Sequence, residues 1–191
     1  MLADIPREAY RPEIEGWSED ILPYYRDLVP RLPLGARFVE VGVAHGRSLF
    51  FLAEELATAG RLDVELHAVD FWPGELFSRM ILPQLQRQDL AHLVSRIMWH
   101  RTDGVRAAKL FEAYSLDVVF IDSDHTEAGM LAHLDAWGPR VKHGGIIAGH
   151  DYHAQDWPGV VAAVDARFNG RVKRPTRTVW EVVYPDHGDH G

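Results

Sequence analysis

The chain of 191 residues is expected to fold as α/β: a Rossmann-like, doubly wound, mostly parallel sheet with helices on both faces and an antiparallel hairpin at its C-terminal edge. Three observations predict this. Short apolar, β-branched runs alternate five times with segments of helical period, the pattern of successive βαβ units. The run Asp117–Asp122 is apolar almost throughout, as a central strand covered on both faces should be. An earlier run, Phe38–Val41, breaks into the glycine turn Gly42-Val43-Ala44-His45-Gly46 and leads straight into a helix.

Taken in order, residues 1–16 carry Pro6, Pro12 and Gly16 without a clean period. They read as an irregular arm serving as a lid or a dimer contact, with a surface tail as the plain alternative. Ser18 suits the N-cap of a helix running through Tyr24–Val29, which Pro30 and Pro33 end. Pro23 lies inside that pattern and argues for a late start or a kink. The arm and helix thus occupy 1–34, the main domain 35–185, and a flexible tail 186–191, with His187 and His190 in the tail.

Within the domain, Leu49, Leu52, Ala53 and Leu56 share one face of a helix over Arg47–Thr58, stopped by Gly60. The second strand is Val64–Asp70, and Gly74–Asp89 is a helical insert interrupted by Pro83. A third strand near Val94–His100 precedes a helix over Val105–Tyr114. After the central strand comes a helix over Thr126–Trp137, whose core stripe is Met130, Leu131, Leu134 and Trp137. A fifth strand, Gly145–Asp151, and a helix, Gly159–Phe168, follow. Val172–Tyr184 reads as two strands around Pro175-Thr176, and the basic residues Arg171, Lys173, Arg174 and Arg177 read as a solvated edge that resists strand pairing.

Composition narrows the function. Twenty Lys and Arg against 28 Asp and Glu give a net charge of −8, which argues against a nucleic-acid partner. With no cysteine there are no disulfides, thiolate zinc sites or cysteine nucleophiles, a usage that suits the cytoplasm. No apolar run approaches a membrane span, and the N-terminus lacks a signal-peptide pattern.

The turn reads Glu40-x-Gly42-x-x-x-Gly46, neither the dinucleotide G-x-G-x-x-G nor a P-loop. A carboxylate at the first strand's end suits a cationic ligand group, such as an ammonium or a sulfonium, and repels a pyrophosphate. The plainer reading is a tight turn with an exposed Glu. Four more strand ends or following turns carry polar groups: Asp70, Asp103, Asp122 and His150-Asp151. In open α/β sheets ligands bind beyond these carboxyl ends. So many acids on one rim are costly unless a ligand or water satisfies them.

With these residues in place, the chain resembles class I S-adenosylmethionine-dependent methyltransferases over about residues 35–170. The carrying motifs are the glycine turn, Asp70, Thr102-Asp103, Ile121-Asp122-Ser123-Asp124-His125, and Gly144-Gly145-Ile146-Ile147-Ala148-Gly149-His150-Asp151-Tyr152. The last two motifs are the most specific. They are similar to a small bacterial branch related to the metal-dependent O-methyltransferases that modify sugars of macrolide and aminocoumarin antibiotics.

The resemblance implies S-adenosylmethionine as cofactor and a small hydroxylated acceptor. Gly42 and Gly46 would admit the methionine part, and Glu40 would add negative charge near it. Asp70 would accept both ribose hydroxyls. Thr102 and Asp103 would serve the adenine, with Asp103 as a helix N-cap in the plain alternative. Asp122 belongs to the cofactor rim. With His150 and Asp151 it also makes the place where metal-dependent relatives hold a divalent cation, here magnesium, manganese or zinc.

His125, or Asp124 beside it, would act as general base. Tyr152, His153 and Trp157 would border the acceptor. A homodimer would complete a pocket that so short a chain leaves open. Two other readings remain open on the residues alone. One is a metal-dependent hydrolase or metal-binding protein using Asp122, His125, His150 and Asp151. The other is a nucleotide-binding module without catalysis.

Overall fold

A computed structural model of the chain describes residues 10–184. The first nine residues of the arm and the tail at 186–191, with His187 and His190, lie outside the described residues. Among those described, six strands form one sheet in the order β3-β2-β1-β4-β5-β6. They are β1 (Arg37–Val41), β2 (Glu65–Asp70), β3 (Ile97–Arg101), β4 (Leu116–Ile121), β5 (Val141–Gly149) and β6 (Trp180–Val183). All neighbours are parallel except β5 and β6, which run antiparallel.

The second limb of the expected edge hairpin is reduced to one bridge, Lys173 to Glu181. Pro175 has no N–H for a ladder, and the basic residues around it favour water.

Helices cover both faces. On one side lie α1 (Ile21–Leu28), α2 (Arg47–Thr58) and the insert, made of a π-helical turn (Phe77–Ile81), α3 (Leu82–Leu85) and α4 (Ala91–Val94). On the other lie α5 (Gly104–Ala107), α6 (Glu127–Trp137) and α7 (Pro158–Phe168). Each side has its own apolar core: Tyr24, Tyr25, Phe38, Phe50 and Phe120 on the first, Val119, Met130, Trp137, Val164 and Phe168 on the second.

Local chemistry explains where the elements begin. Pro23 is the third residue of α1, where its missing N–H is an orphan in any helix, so it neither delays nor kinks α1. The C=O of Ser18 accepts the N–H groups of Ile21 and Leu22, at 2.9 Å each. Pro83 falls just after the π-helical turn, which absorbs the break in the helical ladder. The helix expected over Val105–Tyr114 is only α5 and a following 3₁₀ turn to Leu110.

Candidate active site

Because β1 and β4 are central neighbours, their carboxyl ends bring the glycine turn and the Asp122–His125 segment together. Gly42 has φ 92°, and a Cβ there would lie 1.9 Å from the Asp122 carbonyl oxygen. The glycine is therefore required by strand-end packing, before any ligand is considered. Gly46 is the left-handed N-cap of α2, and a Cβ there would press on Phe50 and Ile81 at 2.9 and 3.2 Å.

A cavity of about 890 Å³ opens beside this turn. Its floor carries Gly42, Gly46, Asp122, His125, His150 and Asp151, and its outer wall comes from the arm (Glu15–Ile21) and the approach to α7 (His153, Asp156, Trp157). That volume lies within the range of small-molecule and cofactor pockets.

The expected site residues divide between cavity and scaffold. Gly42, Gly46, Asp122, His125, His150 and Asp151 line the cavity; Glu40, Asp70, Thr102, Asp103 and Asp124 do not. Glu40 lies beneath the turn, 1 % exposed, and accepts hydrogen bonds from Tyr25 (2.8 Å) and Ser48 (2.6 Å). Burial outweighs those two bonds and raises its pKa to about 8. The carboxyl group is thus a structural tie between α1, β1 and α2 rather than a charge facing the cavity.

Asp70 holds the turn from the other side. Its Oδ2 accepts the N–H groups of Val43 and Ala44, both at 2.9 Å, and its Oδ1 accepts that of Trp72 at 3.1 Å. A carboxylate offers about four acceptor positions, so roughly one remains for a ribose hydroxyl. Asp103 is the N-cap of α5, accepting the Arg106 N–H at 2.9 Å. The Thr102 N–H is used by the Asp70 carbonyl. Asp124 accepts both the N–H and the hydroxyl of Thr126 at 2.8 Å, and its carboxylate fills the space over Gly129. It supports the start of α6 and faces away from the cavity.

The chemistry-bearing groups gather at the ends of β4 and β5. His125 Nε2 lies 2.7 Å from Asp151 Oδ2 and 3.9 Å from Asp122 Oδ1. His150 Nδ1 lies 3.2 Å from Asp151 Oδ1 and 3.7 Å from Asp122 Oδ1. The pairing of His125 with Asp122 and Asp151 carries its pKa to about 9. Burial opposes the charge on His150, yet the same two carboxylates raise it to about 10. In return the two imidazoles hold Asp122 and Asp151 below the usual carboxylate range, against their burial.

Asp151 sits at φ 59°, an unusual backbone for a non-glycine residue, just where its side chain turns into the cavity. His125 stacks on Trp157 with ring centroids 4.2 Å apart.

The donor set suits a divalent cation. One ligating atom each from Asp122, His125 and Asp151 lies within 4.8 Å of the others. His125 Nε2 is buried and its N–H is not aligned on any acceptor despite the 2.7 Å approach to Asp151, so the contact is an ion pair with an unmet direction. This set exchanges the expected His150 for His125 and leaves His150 beside it. Mixed imidazole and carboxylate donors favour manganese, zinc or iron over magnesium.

Sequence reasoning read the arm as a lid or dimer contact but missed how it is anchored. Arg47, 7 % exposed at the start of α2, donates to the carbonyls of Tyr10 and Gly16 at 2.9 Å and pairs with Glu19 at 3.5 Å. An arginine directly after a glycine turn, with Glu19 and Asp20 ahead of α1, was the available signal.

A sheet in this order, with an open cavity beyond β1 and β4 and a glycine turn between β1 and α2, defines a class I methyltransferase, the class that draws its methyl group from S-adenosylmethionine. The chain belongs to the methyltransferase domain family, whose model matches residues 39–152. Among solved structures it is similar to the O-methyltransferase NovP, at TM-score 0.68 and 17% identity, covering 94% of this chain and 90% of that one. It is also similar to an S-adenosylmethionine-dependent O-methyltransferase from Thermotoga maritima (TM-score 0.64, 14% identity, 91% and 67% covered). A third likeness is to the calicheamicin methyltransferase CalS11 (TM-score 0.61, 16% identity, 86% and 77% covered). These likenesses concern the fold.

In sequence it is 25% identical over 123 residues to the uncharacterized protein y4gI of Sinorhizobium fredii (strain NBRC 101917 / NGR234), a match spanning 63% of this chain and 13% of that protein. Among the described residues, no helix is long and apolar enough to cross a membrane.

Proposed function

We propose that the protein transfers the methyl group of S-adenosylmethionine to a hydroxyl oxygen of a small acceptor. The observation that carries this reading is the placement of His125, Asp122 and Asp151 on the floor of the same cavity that the glycine turn borders. The glycine turn would border the methionine end of the cofactor. The acceptor hydroxyl oxygen attacks the methyl carbon in line with the sulfur. The O–C bond forms as the S–C bond breaks, the electron pair stays on the now neutral sulfur, and the hydroxyl proton leaves to His125 Nε2 in its neutral form. Alignment of the reacting atoms is the protein's main contribution. The O-methyltransferases of similar fold agree with oxygen as the acceptor atom.

Asp122, His125 and Asp151 would hold a divalent cation, with His150 alongside. Such a cation supplies Lewis acidity that lowers the pKa of a bound hydroxyl. His125 therefore has two competing tasks, ligand and proton acceptor. Asp124, turned away beneath Thr126, has neither.

Calorimetric titration with S-adenosylmethionine and S-adenosylhomocysteine, in chelator and in manganese, tests the reading. Micromolar binding of both nucleosides is expected, together with a methyl ether product from a hydroxylated acceptor panel. Failure to bind either nucleoside removes the methyltransferase reading. Tight metal binding alone would favour a metal-binding protein.

A further inference from the structure

The outer wall of the cavity carries chemistry that methyl transfer does not use. The arm contributes Glu15, Glu19 and Asp20, and the approach to α7 contributes Asp156. Among the described residues no lysine lines the cavity, and the guanidinium groups that do are Arg47 and Arg177. Arg47 is already committed to two arm carbonyls and Glu19. Arg177 pairs with Asp20 at 3.5 Å, and Asp20 also accepts the Thr178 hydroxyl at 2.7 Å. Among the described residues Glu15 pairs with His45 at 3.6 Å and Asp156 with His153 at 2.9 Å, and neither pairs with a lysine or arginine. The mouth therefore presents more negative charge than its own cations balance.

Two further features point to an occupant. The Trp17 indole is 82 % exposed on the arm, and Trp157 is 40 % exposed across the sequence at α7; both line this cavity. Ser18, between Trp17 and Glu19, is 3 % exposed on the cavity wall, and its hydroxyl has no hydrogen-bond partner among the described residues. A buried hydroxyl without a partner is unusual and needs an account. Carboxylates combined with aromatic faces are the chemistry that recognises ammonium groups.

We propose that the acceptor carries a protonated amine in addition to its hydroxyl, as an amino alcohol or amino sugar does. The ammonium is held at the mouth by Glu15, Asp156 and the Trp17 face, and its N–H groups meet the Ser18 hydroxyl oxygen. The amine is a handle and takes no part in the bond exchange. The same wall turns away phosphate-bearing and carboxylate-bearing acceptors. This inference rests on the methyltransferase reading of the same cavity.

The test uses the protein loaded with S-adenosylhomocysteine and two matched series, followed by saturation-transfer NMR and calorimetry. One series is tyramine, tyrosol and 4-hydroxyphenylacetate; the other is glucosamine, glucose and glucuronate. In each, the cationic member is expected to bind at least about ten-fold tighter than the neutral one, with the anion weakest, and the preference should shrink in high salt. The double variant Glu15→Gln/Asp156→Asn should cut the preference about five-fold or more, and Trp17→Ala should reduce it further, while S-adenosylhomocysteine affinity stays within about two-fold.

Equal or tighter binding of the neutral or anionic members overturns the proposal, as does absence of binding by both cationic probes at millimolar concentration. Loss of S-adenosylhomocysteine binding by the unaltered protein instead overturns the methyltransferase reading beneath it.

Discussion

His125 lies almost flat against Trp157, ring centroids 4.2 Å apart and planes 29° from parallel, while its Nε2 reaches Asp151 at 2.7 Å. The stack fixes the ring and the ion pair fixes its charge. Gly159 makes the arrangement possible: a Cβ there would meet the His125 carbonyl oxygen at 2.7 Å and the Glu127 nitrogen at 2.6 Å. The start of α7 can therefore press its indole onto the imidazole. An aromatic pair of this kind is worth roughly 0.5–1.5 kcal/mol, or about two- to twelve-fold in an equilibrium. Trp157→Ala should lower kcat by about that factor and leave cofactor affinity unchanged, as read by steady-state kinetics beside calorimetry. Trp157→Phe should restore most of the loss.

The charge on His125 gives a pH prediction. Its pKa is raised from 6.5 to about 9 by Asp122 and Asp151, so at neutral pH the ring carries a proton and cannot accept another. Methyl transfer measured in chelator should rise with pH toward about 9. A divalent cation competes with that proton, so manganese should move the rising limb to lower pH, and manganese affinity should itself increase with pH. The stability contribution has the opposite sense. A histidine with a raised folded pKa stabilises fully below 6.5 and loses that contribution as pH climbs through about 9. A pH–rate profile that is flat from 6 to 10 in chelator would rule out His125 as the proton acceptor.

Asp122 and Asp124, two residues apart, have different surroundings: Asp122 lines the cavity, whereas Asp124 is bonded to Thr126 at the start of α6. Asp124→Ala removes the acceptor for the Thr126 N–H and hydroxyl and should cost about 1 kcal/mol of stability, the usual value of a lost helix-start contact, with methyl transfer little changed. Asp122→Asn should abolish cation binding and lower the melting temperature at neutral pH, because it removes a carboxylate that pairs with both His125 and His150. Thermal melts paired with metal titrations check both. A large loss of kcat in Asp124→Ala at unchanged stability would return Asp124 to the catalytic set.

The sheet was legible because its central strands announce themselves twice: β1, β4 and β5 each carry an apolar, β-branched run and end at an acid or a glycine. The glycine turn was legible in sequence but not its cause. Gly42 is required because Asp122's carbonyl lies where a Cβ would be, a contact between segments 80 residues apart that no local pattern records. Likewise, Asp70 and Asp103 announce themselves as acids on the rim. Only the structure shows that backbone N–H groups of the turn and of α5 already occupy much of their capacity. The edge hairpin and the Val105–Tyr114 helix were overdrawn because local propensity cannot see where the sheet stops supplying partners. It follows that Gly42→Ala should destabilise the apo-protein by about 3 kcal/mol or more in denaturant titration, before any ligand is added. A variant that folds normally and fails only in cofactor binding would assign Gly42 to the ligand instead.

Glu40 offers the sharpest test of how the turn is supported. It is enclosed by Tyr25 and Ser48, with Tyr25 itself fully buried against Phe38 and Phe120. Burial raises its folded pKa to about 8 from the ordinary carboxyl value of 4.5. Between those two values the unfolded chain has released the proton and the folded chain retains it, so the folded state binds more protons and stability falls as pH rises across that window. Above about 8 both states are ionised and the loss levels off. Glu40→Gln keeps the shape and removes the titration. Its melting temperature should match the parent's near pH 4.5, exceed it progressively up to about pH 8, and run parallel above that. If Glu40 instead acted as an ionised group near the cofactor, the variant would lose cofactor affinity at every pH and show no such widening gap. Melting curves across pH, set beside S-adenosylhomocysteine titrations at pH 6 and 9, separate the two outcomes.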